Sequence, residues 1–336
     1  MKNRIFRTLM AGMLVLTLTG CTGAAAVESA PATEPAAETA EAPAAEEAPA
    51  AEEAPAAEEA GGGELGAIGF SISTMNNPFF VSMAEGAEAK AAELGVDLTI
   101  VDAGNDTAKQ TTDIEDLISK NVKVLIVNPA DSASIVPTIK DVQAAGIKVV
   151  AVDRYVDGEL QDTFIGTDNV AAGEAAGKAF LDAVGEGAKV AILEGVPGAS
   201  SAIERQQGFH NAIDGHVDIV ASQTANYDRS EGLTVTENIL QAHPEIEGIL
   251  SANDEMALGA LEACDAAGKK PGQDILVTGF DAGDDARAAV KDGRMLFTVE
   301  QQTVLMGETA VETAVKYMNG EAVDSRIPID VIMVAE

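Results

Sequence analysis

Short β-branched runs alternate with alanine-rich amphipathic stretches from Leu65 almost to the last residue, and no other feature narrows the fold as much. Runs at 96–101, 122–127 and 147–152 are each followed by a helical pattern. Between 81 and 94, Met83, Ala84, Ala87, Ala91 and Leu94 fall on one helical face, and Gly95 supplies a stop. Strands separated by helices imply parallel βαβ units. A second series begins near Phe164, with strands expected at 189–193, 217–221, 248–252, 275–278 and 296–299. The total of roughly ten units exceeds one comfortable doubly wound sheet. Two lobes of about five units each fit better, with a closed (β/α)₈ barrel as the alternative that the unit count disfavours.

The stretch before Leu65 reads as something other than a folded core. Lys2, Arg4 and Arg7 make a positive start, and an apolar run at 9–18 is short for a membrane span. It ends in Leu18-Thr19-Gly20-Cys21, similar to the lipobox of bacterial lipoproteins, in which the Cys is lipidated. Residues 1–20 are therefore expected to be a lipoprotein signal peptide and Cys21 the anchor. Residues 21–63 repeat Ala-Pro-Ala-Ala-Glu-Glu in tandem and hold almost nothing to bury, which predicts a disordered acidic tether. A proline in each repeat argues against an Ala/Glu helical rod.

Charge removes whole classes of partner. The chain carries a formal −34. Taking off the three bases of residues 1–20 and the eleven Glu of residues 22–64 leaves −26 on the head. Nucleic acid requires a positive surface, and an anionic membrane surface does too, so membrane contact is expected only through the anchor. Cys264 is the one cysteine left once Cys21 is lipidated, and its helical spacing with Met256, Leu258 and Leu261 predicts a buried thiol. His210, His216 and His243 have no metal-ligand spacing, so neither a metal nor a cofactor is expected.

Ligands in open α/β sheets bind beyond the carboxyl ends of the strands, so the residues just after each apolar run are the candidates. Ser73 to Phe80 comes first. Asn77 is a good helix N-cap, Pro78 suits the first helical position, and Phe79 and Phe80 follow at once. Two adjacent aromatics cannot both face one core, which turns at least one toward a cleft. The later strand ends carry Asn128 with Asp131, Asp153-Arg154, Asp168-Asn169, Asn253-Asp254, Asp281 and Gln301. Carboxylates, amides and guanidinium groups together suit a polyol, because Asp accepts, Arg donates in a fork, and Asn or Gln does both. Phe79, Phe80 and Tyr227 offer faces for the C–H side of a sugar ring. The plainer alternative is that these Asp and Asn residues begin turns and cap helices; it suits Asp168 and Asp254 best. It suits Asp153-Arg154 least, because a turn has no need of the arginine.

Enzyme signatures do not occur. There is no glycine-rich dinucleotide fingerprint after the first strand, no Gly-Lys-Ser/Thr phosphate loop and no Gly-x-Ser-x-Gly elbow. Asp153 and Asp281 could form a glycosidase pair. An adjacent arginine, however, is expected to hold Asp153 ionised and acceptor-only, which suits binding better than proton donation.

Residues 65–336 closely resemble the ribose-binding proteins of bacterial ATP-driven sugar importers, of the periplasmic-binding-protein type 1 family. The likeness rests on Ser73 to Phe80, Asn128 to Ser132, Asp153-Arg154, Gly208-Phe209, Ala242-His243-Pro244, Asn253 to Ala260 and Gly279-Phe280-Asp281. It implies an α/β flytrap: two Rossmann-like lobes joined by three hinge crossings near Asp168, Gln301 and Asp330. The implied N-terminal lobe is 64–167 plus 302–330, and the C-terminal lobe 168–301 plus 331–336. Implied ligand contacts are Ser73, Asn77, Phe79, Phe80, Asp153 and Arg154 from the first lobe. Arg205, Tyr227, Asn253 and Asp281 come from the second, with Gln301 at a crossing. The family's ribose binders carry Phe where this chain has Tyr227, which leaves the exact sugar open: D-ribose first, with allose, fructose or a furanose as alternatives. The implied partners are the monosaccharide, the membrane permease of an ABC importer and a chemoreceptor, for a monomeric extracytoplasmic protein. The same fold serves lac-repressor-type regulators, but those begin with a basic helix-turn-helix where this chain has an acidic tether.

Overall fold

The computed structural model describes residues 66–335. The expected signal segment, the lipidation site Cys21 and the tether all lie outside the described residues. Among the described residues, no helix is long and apolar enough to cross a membrane.

The first lobe starts β1 (Ala67–Ile72), α1 (Pro78–Leu94), β2 (Asp97–Asp102), α2 (Thr107–Ser119), β3 (Val124–Val127), α3 (Val136–Ala144), β4 (Lys148–Val152) and β5 (Thr163–Gly166). The second comprises α4 (Asn169–Val184), β6 (Lys189–Glu194), α5 (Ser200–Ile213), β7 (Asp218–Thr224), α6 (Arg229–Ala242), β8 (Gly248–Ser251), α7 (Asp254–Ala266), β9 (Leu276–Thr278), α8 (Asp284–Lys291) and β10 (Thr298–Glu300). The chain then returns through α9 (Thr303–Met318), β11 (Arg326–Pro328) and β12 (Ile332–Val334).

Each lobe has a parallel sheet of the same winding. The first runs β2-β1-β3-β4-β5-β11 and the second β7-β6-β8-β9. Both are the doubly wound order in which the chain reverses direction beside the first strand, so each lobe has its switch point at the carboxyl end of that strand. β10 continues the second sheet through Leu296 N–H to Val277 O and Gly279 N–H to Phe297 O, and β12 pairs antiparallel with it. Because β5 pairs with β4, Phe164 closes the first series; the second series starts at α4, not at Phe164.

Helices cover both faces of the first sheet, so β3 is buried at all four residues. One face packs Phe70, Ile72 and Met83 with Met306 and Val311 of α9, and the other packs Leu117, Leu125, Val127 and Ile139. α1 and α9 touch backbone to backbone. A Cβ on Gly86 would stand 2.4 Å from Val304 O, and one on Gly307 2.0 Å from Met83 O, so both contacts require glycine. α1 ends at Gly95 with φ 66°, the left-handed stop that its glycine allows. Leu94 departs from its expected place on the buried face. It is 38% exposed, while Ala91 in the same turn is buried. Cys264 is buried in the second core, and that burial pushes its thiol up to about 12.

Three crossings join the lobes: β5 to α4, β10 to α9, and β11 to β12. Two of them are tied together, since Gln302 Nε2 donates to Asp330 O at 2.7 Å. Away from the crossings in sequence, the lobes also bond directly. Ser132 N–H donates to Gly198 O at 3.0 Å, Ser200 N–H to Ser132 Oγ at 3.2 Å, and Tyr155 N–H to Ser200 Oγ at 3.0 Å. The lobes are closed on one another.

Candidate functional site

Between the lobes, at the carboxyl ends of both sheets, lies a small cavity with a free volume of about 20 Å³. It is below the roughly 300–1,000 Å³ of sites for drug-sized ligands. A larger cleft next to it shares Asn77, Phe79 and Asp281, is otherwise lined by acids such as Asp254, Glu255, Asp284, Asp285, Glu300 and Glu308, and has no guanidinium group. The smaller cavity is the one in which charges of both signs, amides and aromatic faces meet.

Its first-lobe wall starts where β1 ends. Asn77 caps α1 by accepting from Phe79 N–H at 2.9 Å, which uses its oxygen and leaves its amide nitrogen for the cavity. Phe79 and Phe80 meet edge to face at 5.0 Å, and the expectation that they cannot share one core is corrected: both pack on it while both line the cavity. The Phe80 face also lies 5.1 Å from the Arg154 guanidinium.

Asp153 and Arg154 follow β4 and are buried, although β4 itself ends at Val152. Asp153 has φ 62°, a left-handed backbone that aims its carboxylate back into the cavity. Asn128 holds it there: Nδ2 donates to Asp153 Oδ2 at 3.1 Å and to Val152 O at 3.0 Å. Arg154 donates through Nη1 to Pro129 O at 3.0 Å, while its Nε stands 3.6 Å from Asp153 Oδ2, an ion pair too long for a hydrogen bond. The expectation that the arginine simply holds Asp153 ionised is corrected. Complete burial pushes the carboxyl above its ordinary value, and Arg154 and Arg205 offset that only in part. Burial likewise works against the Arg154 charge.

Ser73 does not reach the cavity. It is buried behind the wall, where its N–H donates to Asn128 Oδ1 at 3.3 Å, so it supports the amide that supports Asp153. Asp131 turns its carboxylate to Ala133 and Ser134 N–H, and Asp168 caps α4 through Ala171 N–H; the turn-and-cap alternative describes both.

The second-lobe wall is built from four elements. Arg205 of α5 lies 3.6 Å over the Phe280 ring and donates to Ala252 O at 2.5 Å and to Asn169 Oδ1 at 2.7 Å. Tyr227 has φ 59°, follows Asn226 at φ 53°, and presents its ring 5.9 Å from both guanidinium groups. It fits because residue 195 is glycine: a Cβ there would come within 2.2 Å of the ring. Asn253 is the N-cap of α7, accepting from Met256 N–H at 3.0 Å through Oδ1. Asp281 has φ 122° and accepts from Gln301 Nε2 at 2.8 Å. Burial is the main reason its carboxyl lies well above the ordinary range; Arg205 pulls it down while Asp254 and Asp153 push it up.

Two further residues differ from their sequence reading. Asp254, expected as a helix-start residue, is the first residue of α7 but not its cap, because Asn253 holds that place. Its carboxylate is buried and accepts from Thr298 Oγ1 and Gly283 N–H. Ser201 was missed. It lines the cavity one helical turn before Arg205 on α5, and that i,i+4 spacing was the available signal.

The site is balanced in charge, with Arg154 and Arg205 against Asp153 and Asp281. It is not balanced in hydrogen bonds. Among the described residues, eight buried side-chain polar atoms lack a partner, and four belong to cavity residues: Arg154 Nε, Tyr227 OH, Asn253 Nδ2 and Gln301 Oε1. Each such atom costs about 1–3 kcal/mol when unpaired. A ligand that suits this set is neutral overall and both donates and accepts at several points.

A family model described as a periplasmic binding protein domain matches residues 68–322. The Ribose import binding protein RbsB of Bacillus subtilis (strain 168) is 48% identical over 260 residues, 77% of this chain and 84% of that protein. The protein of the same name from Escherichia coli (strain K12) is 40% identical over 270 residues, 80% of this chain and 90% of its own. Among solved structures, the Caulobacter myo-inositol binding protein bound to myo-inositol superposes with TM-score 0.78 at 36% identity, covering 81% of this chain and 94% of that one. An ABC transporter periplasmic solute binding protein from Actinobacillus succinogenes with bound D-allose gives 0.75 at 33% identity, covering 80% and 97%.

Proposed function

This chain belongs to the periplasmic binding protein domain family, and from that membership we propose that it is the extracytoplasmic sugar-binding subunit of an ABC importer. It binds a monosaccharide, D-ribose first, between its lobes and hands it to the membrane permease. The observation that carries this is the cluster of unpaired buried donors and acceptors that the two lobes bring to one charge-balanced cavity. Sugar hydroxyls each donate once and accept twice, so a polyol pairs Arg154 Nε, Asn253 Nδ2 and Tyr227 OH as donors, and Gln301 Oε1, Asp153 and Asp281 as acceptors. Phe79 and Phe80 cover the C–H faces of the ring. A charged ligand would upset two cations set against two carboxylates. The relatives named for ribose import support the sugar.

The lobes are taken as 64–167 plus 302–330 and 168–301 plus 331–336, turning about the crossings near Asp168, Gln301 and Asp330. Cys21 supplies the lipid anchor and residues 21–63 the tether that carries a monomeric head. A chemoreceptor is a second partner for the closed form.

A second reading within the class is a different monosaccharide. The Tyr227 hydroxyl favours it, since an unpaired donor asks the ligand for one more acceptor. A thermal-shift screen decides between them, because a ligand specific to the native state raises the melting temperature. D-ribose is expected to give the largest shift among D-ribose, D-allose, D-fructose and myo-inositol. A larger shift with another sugar replaces ribose, and no shift with any of them refutes the sugar reading.

A further inference from the structure

Asp254 lines the larger cleft and not the smaller cavity, and it is a nearly fully buried carboxylate whose hydrogen bonds go to the 280–283 loop and to Thr298 of β10. Its N–H donates to Phe280 O at 2.8 Å. Its Oδ2 accepts from Gly283 N–H at 2.8 Å. Its Oδ1 accepts from Thr298 Oγ1 at 2.6 Å, and that same hydroxyl oxygen accepts from Ala282 N–H at 3.1 Å. Residues 280, 282 and 283 are thus tied to Asp254 directly or through Thr298. Asp281 is the residue between them that is not. Its own N–H goes to Val299 O at 2.7 Å, and its carboxylate turns to Gln301 and the cavity.

That loop needs holding. Asp281 at φ 122° and Ala282 at φ 57° are both in the left-handed half of backbone space, which non-glycine residues occupy at a cost of about 1–3 kcal/mol each. Residues in such conformations persist only where the surroundings over-determine them. The packing is tight on the other side as well: a Cβ on Gly279 would stand 2.1 Å from Asp254 Oδ1. A charged acceptor suits the task because two donors converge on it, and hydrogen bonds to an ionised group are about twice as strong as neutral ones.

We propose that Asp254 is a positioning residue of the sugar site: with Thr298 it clamps both flanks of Asp281 and so fixes the direction of the Asp281 carboxylate in the cavity. This rests on the reading of the cavity as a sugar site.

The test is a double-mutant cycle in calorimetric titrations of the whole protein with D-ribose, or with the sugar that the thermal-shift screen selects, alongside denaturant melts of each apo variant. Asp254→Asn keeps the shape but replaces one acceptor by a donor, and should raise Kd roughly tenfold, about 1.4 kcal/mol. Thr298→Val, which keeps the shape and loses the hydroxyl, should weaken binding in the same direction, and Thr298→Ser should restore it. Thr298→Val carries the test if Asp254→Asn does not fold. In an Asp281→Asn background, Asp254→Asn should cost little more, because residues acting as a unit are not additive. Fully additive losses, or single variants with wild-type Kd, overturn the inference while the sugar reading stands. A wild-type protein that binds no sugar overturns both.

Discussion

Replacing Asp281 by Asn separates binding from folding, because the structure gives the two effects opposite signs. Asparagine has the shape of aspartate, tolerates a positive φ better than most residues, and keeps an oxygen for the Gln301 amide that donates at 2.8 Å. It removes a charged acceptor facing the sugar. A hydrogen bond to a charged group contributes about 1.5–3 kcal/mol, so Kd should rise roughly 10- to 150-fold. The apo protein should not suffer. Burial, with Asp254 and Asp153 nearby, pushes the Asp281 carboxyl well above its ordinary range, so the fold works against its ionised form at neutral pH. Asparagine escapes that penalty, and the denaturant midpoint of the apo variant should hold or rise. Titration calorimetry and urea melts at one pH supply both numbers. Wild-type affinity in the variant, or a fall in midpoint large enough to account for the lost binding, would refute the reasoning.

Three further outcomes follow from the same geometry. Acidification should act oppositely on folding and binding. The carboxyls of Asp153, Asp254 and Asp281 are all raised by burial, so the stability they contribute is full below their ordinary value near 3.8 and lost as the pH climbs, through about 6 for Asp254. Sugar acceptance needs the carboxylates, so lowering the pH from 8 to 5 should raise the apo melting temperature and weaken affinity; affinity that tightens would sink the assignment of Asp153 and Asp281 as acceptors. Sugar should favour the closed arrangement bonded through Ser132, Tyr155 and Ser200, which scattering would register as a smaller radius of gyration with ligand than without. Identical profiles would mean a rigid preformed pocket. Cys21→Ser should release the head from the membrane fraction with sugar affinity intact, and a native protein already soluble would remove the anchor.

Much of the fold was legible because it is written in period and spacing. β3 and β4 are buried on both faces, and such strands appear in sequence as continuous β-branched runs. Strand limits moved by one to three residues, since the ladder and not the apolar run sets them: the run at 122–127 is β3 only from Val124, 217–221 extends to Thr224, and 296–299 becomes Thr298–Glu300. The lobe assignment of Phe164 could not be read from its own neighbourhood. It depends on β5 finding β4 and, from far along the chain, β11.

The site was legible as a set of residue types at strand ends, and less so as a set of roles. Adjacent Asn253 and Asp254 show why. Either can cap a helix, and only the backbone at Asn253, φ −157° and ψ 173°, decides which one does. That choice frees the Asp254 carboxylate for Gly283 and Thr298, partners 29 and 44 residues away that no local pattern connects to it. The carboxylates of Asp153 and Asp281 pose the second difficulty. Their direction comes from positive φ at residues with no glycine to announce it, held by Asn128 in one lobe and by the loop bonds around Asp254 in the other. Charge state was the third. An arginine beside an aspartate reads in sequence as an ionised pair, but once both are sealed between lobes desolvation outweighs the attraction. The left-handed backbones of Asp153, Tyr227 and Asp281, two raised carboxyls and four unpaired polar atoms thus meet at one cavity. A set of groups that the fold alone leaves unfavourable is relieved together when a neutral polyol supplies the missing partners, and that relief is the differential free energy by which a ligand holds two lobes shut.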